Sequence, residues 1–127
     1  MSVRIKRAYD PPARGDGYRV LVDRLWPRGL RKDDLRLDAW LKDLGPSNGL
    51  RTWFAHDPDR WPEFQRRYRQ ELRAKERQDV LRDLAARAGR GTITLVFAAK
   101  DAPHSNAAVL QPLIERMSAR ATVRRPG

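Results

Sequence analysis

The chain has 127 residues, of which 27 are basic and 16 acidic, so its formal net charge is +11, and it contains no cysteine. The lack of cysteine excludes disulfides, thiolate metal sites, iron–sulfur clusters and cysteine nucleophiles. No apolar run approaches the roughly 18 residues of a membrane span, and no apolar stretch follows the basic N-terminus. We therefore expect a cytoplasmic protein with no secretory signal and no membrane partner, of a length that suits one domain.

The basic surplus has two interpretations. A strongly positive surface attracts anions, which favours nucleic acids, nucleotides or phosphorylated metabolites as partners. However, only five of the 27 basic residues are lysine. Together with abundant alanine, aspartate and leucine, this bias is typical of a high-GC genome in which arginine replaces lysine across the surface. Composition alone leaves both interpretations open.

Three segments in the first part of the chain are predicted to be strands. Residues 3–9 alternate apolar and basic side chains, which is the pattern of a half-exposed strand. Residues 18–23 form an apolar, β-branched-rich run that predicts a buried strand. The stretch 25–30 must be a loop because a proline and a glycine interrupt it. Residues 35–44 fit both a strand and a helical stripe, and we favour a strand.

The rest of the chain combines helices with one strong strand. Residues 92–98 are nearly all apolar, which is typical of a central strand covered on both faces. Apolar side chains at helical spacing predict four helices, over residues 47–57, 62–75, 78–88 and 106–120. Leu84, Phe97 and Leu113 are predicted core residues, because each lies on the apolar side of its element. Residues 121–127 are predicted to be a frayed basic tail.

This order of elements predicts a single α/β domain over residues 1–120, with a small, mostly parallel sheet flanked by helices. The unbroken apolar runs of 18–23 and 92–98 place both strands in the interior of that sheet. Ligands of such sheets bind where the carboxyl ends of the strands meet the loops. If the two strands are neighbours, the loops that follow them line one crevice.

Both of these loops are rich in polar side chains. The predicted anion-binding groups are the cationic side chains of Arg24, Arg28 and Lys100 and the backbone at Ser105 and Asn106. A loop that enters a helix offers unpaired N–H groups and the positive end of the helix dipole. Ser105 and Asn106 fit the bland role of helix caps almost as well.

Three side chains are candidates for proton transfer in the crevice: Asp23, Asp101 and His56. Asp101 is slightly preferred, because it shares its loop with Lys100. Each candidate also has a structural interpretation. Asp23 could form an internal ion pair with Arg24, and His56 could contact the end of its helix and do nothing else. His56 is followed by Asp57, which suggests a His–Asp couple as the sharper alternative.

The predicted helix over 62–75 carries a row of arginines that ends at Arg77. A track for a phosphate backbone is one interpretation, but no aromatic residue is interleaved on that face. A solvated helix face is the simpler interpretation. The sequence contains no G-x-G-x-x-G, no Walker loop and no H-E-x-x-H, so we predict no cofactor and no metal site.

Several sequence blocks are distinctive together. They are DRLWPRG at 23–29, TWFAHDP at 52–58 and AAKD at 98–101. With them, residues from about 3 to 118 resemble the YeaO-like branch of the family called domain of unknown function 488. The resemblance implies a compact α/β fold of bacteria and archaea, and no established activity. A related branch carries cysteines around the last strand and loop, and their absence here argues against any thiol-dependent activity.

The resemblance also carries motif residues onto this chain. They are Asp23, Arg24, Arg28, Arg51, His56, Asp57, Lys100, Asp101 and Asn106. These positions coincide with the strand-end loops, and they add Arg51 to the predicted substrate-binding residues.

Two functions remain open. The first is an enzyme acting on a phosphorylated, nucleotide or nucleic-acid-derived substrate in the crevice. The second is a non-catalytic module that binds nucleic acid or a protein through the basic surface. A deep pocket that holds Arg24, Arg28, Lys100 and one carboxylate would favour the first. A flat basic face centred on residues 66–77 would favour the second. The sequence indicates no oligomeric state.

Overall fold

The computed structural model describes the backbone of residues 2–124 and the side chains of residues 2–120. Within these residues one parallel sheet is formed by β1 (Ser2–Arg7), β2 (Tyr18–Leu21), β3 (Ala39–Trp40) and β4 (Thr92–Phe97). The order across the sheet is β1-β4-β2-β3, and all three pairings are parallel. The prediction that the strands at 18–23 and 92–98 lie in the interior is therefore confirmed.

The described helices are α1 (Lys32–Leu35), α2 (Asn48–Phe54), α3 (Trp61–Glu71), α4 (Lys75–Arg90) and α5 (Asn106–Arg124). Short 3₁₀ helices lie at Arg14–Asp16, Lys42–Leu44, Pro58–Arg60 and Ala102–His104. Ser47 caps the start of α2, because its Oγ accepts the N–H of Leu50 at 3.2 Å. Helix α5 runs four residues into the predicted tail, and residues 125–127 lie outside the described part of the chain.

The ambiguous segment 35–44 is a strand only at its centre. Two residues, Ala39 and Trp40, pair with Val20 and Leu21 of β2. Before them Leu35 ends α1, and after them the chain turns into a 3₁₀ helix. The favoured strand is therefore real but short, and it forms one edge of the sheet.

The alternation of side chains along the central strands divides the core between the two faces of the sheet. On one face Val20, Leu95 and Phe97 pack against helices α2 to α5. On the other face Leu21 and Val96 pack under the segment that contains Leu35, Trp26 and Trp40. The near-continuous apolar runs of β2 and β4 follow from this burial on both faces.

A buried ion pair holds the loop before β2. Asp16 accepts Arg19 Nη1 at 2.6 Å and Lys6 Nζ at 3.1 Å. Arg19 also donates from Nε and Nη2 to the carbonyl of Leu35, at 3.0 and 2.8 Å. Burial alone would raise the pKa of Asp16, but the N–H of Ala13 and the two cations more than offset it and lower that pKa. The charges are thus fully partnered, which a buried pair requires.

Two of the three predicted core residues are confirmed and one is not. Phe97 and Leu84 are each 1% exposed. Leu113 is only partly buried at the edge of the core, whereas Leu110 and Ile114 are fully buried. The inner face of α5 is therefore centred on Leu110 and Ile114, and Leu113 lies at its edge.

Leu110→Ala should lower the free energy of unfolding by about 2–5 kcal/mol, because truncating a fully buried leucine leaves a cavity. Leu113→Ala should cost clearly less, since part of its side chain already contacts water. Urea denaturation of the two variants measures the difference. Equal losses would contradict the assignment of the inner face of α5.

Candidate functional site

A crevice of about 710 Å³ opens at the carboxyl ends of β2 and β4. The two strands are adjacent and parallel, so the loops that follow them emerge at the same edge of the sheet. The volume lies within the range of small-molecule sites. All nine predicted site residues line this crevice, namely Asp23, Arg24, Arg28, Arg51, His56, Lys100, Asp101, Ser105 and Asn106.

The floor of the crevice joins the ends of the two central strands. Asp23 Oδ2 accepts the backbone N–H of Ala98 at 2.8 Å, which links the end of β2 to the end of β4. Asn106 Nδ2 donates to the carbonyl of Val22 at 2.9 Å, and the Asn106 side chain also hydrogen-bonds to Asp23. Trp40 Nε1 donates to the Asp23 carbonyl at 2.8 Å. Strand ends and helix start are thus held together by side-chain hydrogen bonds.

Asp23 holds its proton more readily than a carboxyl in water does. Burial raises the pKa of this carboxyl, and the Ala98 N–H, the Asn106 side chain and the positive charges of Arg51 and His56 offset only part of the rise. Asp23 does not form the predicted ion pair with Arg24, whose nearest acidic partner is Asp43 at 3.9 Å. A carboxyl with a raised pKa at the floor of a cavity is a candidate functional group.

Aromatic and apolar side chains form the walls. On one side Phe54 of α2 stacks on Phe64 of α3, with ring centroids 4.3 Å apart. On the other side the loop after β2 contributes Leu25, Trp26 and Pro27. Trp26 holds this loop through its Nε1, which donates to the Leu30 carbonyl at 2.7 Å. Trp26 therefore packs its own loop, and it also lines the crevice.

Three cationic side chains surround the floor without strong partners. The side chains of Arg28 and Lys100 are exposed and form no hydrogen bond or ion pair with any residue that the structure describes. Arg51 is also exposed, and its Nη2 donates to Asn48 Oδ1 over a long 3.4 Å. These charges are available to a ligand.

Arg24 has a different role from the one predicted. Its Nε donates to the Pro46 carbonyl at 2.9 Å and its Nη2 to the Gly45 carbonyl at 3.0 Å. A Cβ at Gly45 would lie 2.8 Å from the backbone nitrogen of Arg24, so only glycine lets the two segments approach this closely. Arg24 therefore braces the 45–46 loop against the end of β2 through its Nε and Nη2.

Ser105 is a helix cap. Its Oγ accepts the N–H of Ala108 at 3.3 Å and donates to the Ala102 carbonyl at 2.8 Å. The Ser105 N–H donates to the same carbonyl at 3.2 Å, so the expectation that it is free for an anion is wrong. Asn106 is 9% exposed, and its amide is used in the floor. Ser105 therefore has the structural role of a helix cap, whereas the side chain of Asn106 is part of the floor.

The remaining acid–base candidates lie on the rim. Asp101 is exposed, and its Oδ2 lies 2.6 Å from Nδ1 of His104, whose ring meets the edge of Trp61. His56 is exposed in the left-handed region, with φ +57°. Asp57 does not pair with His56, because its carboxylate accepts the Asp59 N–H and faces Arg60. The alternative of a His56–Asp57 couple is therefore wrong.

Sequence reasoning missed part of the lining. Tyr9 closes one side, and its hydroxyl donates to the Arg28 carbonyl at 2.9 Å. Phe54 and Phe64 were recognised only as apolar positions on helices. Helical periodicity identifies a buried face, but it does not separate side chains that fill a core from those at a cavity wall.

The arginine-rich face of α3 is largely partnered. Glu63 receives Arg66 and Arg67, each at 2.7 Å, and Arg67 also lies over the Trp53 ring. Arg77 donates to the carbonyls of Asp43 and Glu71. This arrangement favours the interpretation of a solvated helix face.

The comparison with known proteins gives the family. A family model described as "Inactive DUF488-N3 subclade" matches residues 2–126. The chain belongs to this family. An uncharacterized protein of Mycobacterium tuberculosis is 46% identical over 112 residues, which cover 88% of this chain and 92% of that protein. The uncharacterized protein YeaO of Escherichia coli is 42% identical over 110 residues, covering 87% and 94%. No protein of solved structure matches the chain.

These relatives confirm the resemblance to the YeaO-like branch that the motifs indicated.

In the described segment 2–124, no helix is both long and apolar enough to span a membrane. Among the side chains that the structure describes, no group of three or more histidines or carboxylates could hold a metal ion.

Asp23→Asn should change how stability depends on pH. Because the pKa of Asp23 is raised in the folded protein, the folded state holds the carboxyl proton more tightly than the unfolded state does. The wild type should therefore gain stability relative to the variant as the pH falls from neutral through that raised pKa toward about 4. Urea denaturation of both proteins across this range measures the difference. A difference that is constant or changes in the opposite direction would contradict the buried environment of Asp23.

Proposed function

We propose that the protein binds a small organic anion in the crevice and does not transform it. The observation that carries this proposal is the set of three cationic side chains, Arg28, Arg51 and Lys100, around one cavity. Two of them have no partner among the described residues, although the chain contains 16 acidic residues. Arginine and lysine are the usual ligands of carboxylate and phosphate groups.

The walls support an organic anion rather than a bare inorganic ion. Phe54, Phe64 and Trp26 contribute aromatic surface to the lining of the crevice. Ligand sites are commonly apolar cavities with a few well-placed polar groups. A cavity of about 710 Å³ is also much larger than a phosphate ion requires.

Binding without turnover is supported by the state of the catalytic candidates. Asp23 is hydrogen-bonded to Ala98 and Asn106 in the floor, and Asp101 is paired with His104 on the rim. His56 has no hydrogen-bonded orienting carboxylate among the described residues. General acid–base catalysis needs a group oriented toward the reacting atoms. The family description, with its word "inactive", agrees with binding alone.

The alternative of nucleic-acid binding through the basic surface has weaker support. Arg66 and Arg67 of α3 share the carboxylate of Glu63, so part of the positive charge on this face is already paired. Arg69 on α3 and Lys75 at the start of α4 are exposed and lie outside the crevice. They therefore provide a matched pair of charges for a control variant.

Phenyl phosphate is a suitable probe, because it combines an anionic head with a flat apolar body. The double change Arg28→Met and Lys100→Met should weaken its binding at least about tenfold, since hydrogen bonds to charged groups contribute more than neutral ones. Calorimetric titration at low ionic strength measures the affinity. The wild type should return the probe unhydrolysed, which a phosphate assay of the same mixture checks.

The control is Arg69→Met with Lys75→Met, which removes the same two charges elsewhere and should leave phenyl phosphate binding within about twofold of wild type. Equal losses in both variants would indicate non-specific charge attraction and contradict the crevice. A short oligonucleotide serves as the second ligand. If it binds and phenyl phosphate does not, with its affinity lost in the control variant, the basic surface is the functional one.

A further inference from the structure

We infer that the crevice selects organic anions that also carry a hydrogen-bond donor, an ammonium or a hydroxyl group, which Asp23 accepts at the floor. This inference rests on the proposed function and specifies its ligand class. Among the described residues the crevice is lined by two carboxylates, Asp23 and Asp101. They differ in depth, because Asp101 is exposed on the rim and Asp23 lies between the ends of the central strands.

The acceptor capacity of Asp23 is the first feature that supports this ligand class. An ionised carboxylate has about four acceptor sites on its two oxygens. The structure gives Asp23 two hydrogen-bonded partners, the backbone N–H of Ala98 and the side chain of Asn106. Asp23 therefore retains acceptor capacity in a cavity that it lines. A ligand donor would use this capacity and compensate part of the cost of burying the carboxylate.

The position of the cations relative to Asp23 is the second feature that supports this ligand class. Arg28 and Lys100 belong to the two loops that continue from the strand ends, and both are exposed. Asp23 is partly buried, so its negative charge lies deeper than the positive charges of Arg28 and Lys100. A ligand that presents a donor inward and an anion outward satisfies both. A plain anion satisfies the rim alone and meets repulsion from Asp23 when that carboxyl is ionised.

The aromatic lining of the crevice is the third feature that supports this ligand class. The aromatic rings of Phe54 and Phe64 and the indole of Trp26 line the same crevice as Asp23 and the two loops. This surface suits a ring or another flat apolar body. The ligand class is therefore a donor group, a flat apolar body and an anionic head, in that order from the floor outward.

Two probes that differ in one group test this class. They are 4-(aminomethyl)phenylphosphonate, which carries an ammonium donor, and 4-methylphenylphosphonate, which does not. Wild-type protein should bind the amine at least about tenfold more tightly, since a charge-assisted hydrogen bond to a carboxylate is among the stronger ones. In Asp23→Asn the two affinities should become equal within about twofold. Asp101→Asn, which neutralises the rim carboxylate, should keep the wild-type preference.

The outcomes separate this inference from the proposed function. If both probes bind equally to the wild type, the inference is overturned while anion binding stands. If neither probe binds, the proposed function fails as well. Loss of the preference in Asp101→Asn rather than in Asp23→Asn would overturn the role given to Asp23. Circular dichroism reports whether Asp23→Asn folds, and if it does not, the wild-type preference and its persistence in Asp101→Asn decide.

Discussion

The hydrogen bonds that join the carboxyl ends of β2 and β4 are the constraint on which the rest of this site depends. Asp23 reaches across to the Ala98 N–H, and Asn106 reaches back from α5 to the Val22 carbonyl. These two contacts hold the loop after β2, the loop after β4 and the start of the last helix in one arrangement. A buried carboxylate is costly unless its hydrogen bonds are made. The same contacts that lower this cost also give the crevice a fixed floor.

The contacts of the arginines explain how a chain with a net charge of +11 folds. Several of them donate to backbone carbonyls rather than to acidic side chains. Arg7 bonds the Ala99 carbonyl, Arg24 those of Gly45 and Pro46, and Arg77 those of Asp43 and Glu71. A carbonyl satisfies a guanidinium without cancelling its charge. Much of the +11 is therefore carried by side chains with structural roles, and net charge is a poor guide to where a ligand binds.

The cationic side chains at the crevice differ in whether they already have partners within the protein. Arg24 is adjacent to the floor but braces the 45–46 loop, whereas the side chains of Arg28 and Lys100 are exposed and have no partners among the described residues. A brace must keep its partner to hold the loop, so it contributes little to a ligand. The exposed cations lose little by exchanging water for an anionic head group. Binding energy in this site is thus expected from the rim and selectivity from the floor.

The sequence by itself determined the α/β class, the two central strands and the edge of the sheet where polar loops meet. These features follow from local patterns, since apolar runs report burial on two faces and parallel strands bring their carboxyl ends to one edge. Only the tertiary structure decided the two-residue length of β3, the partial exposure of Leu113 and the separate roles of Arg24 and Arg28. Each of these depends on partners far away in sequence, such as the carbonyls of Gly45 and Pro46 for Arg24. Local side-chain patterns do not encode which distant backbone group lies within hydrogen-bonding distance.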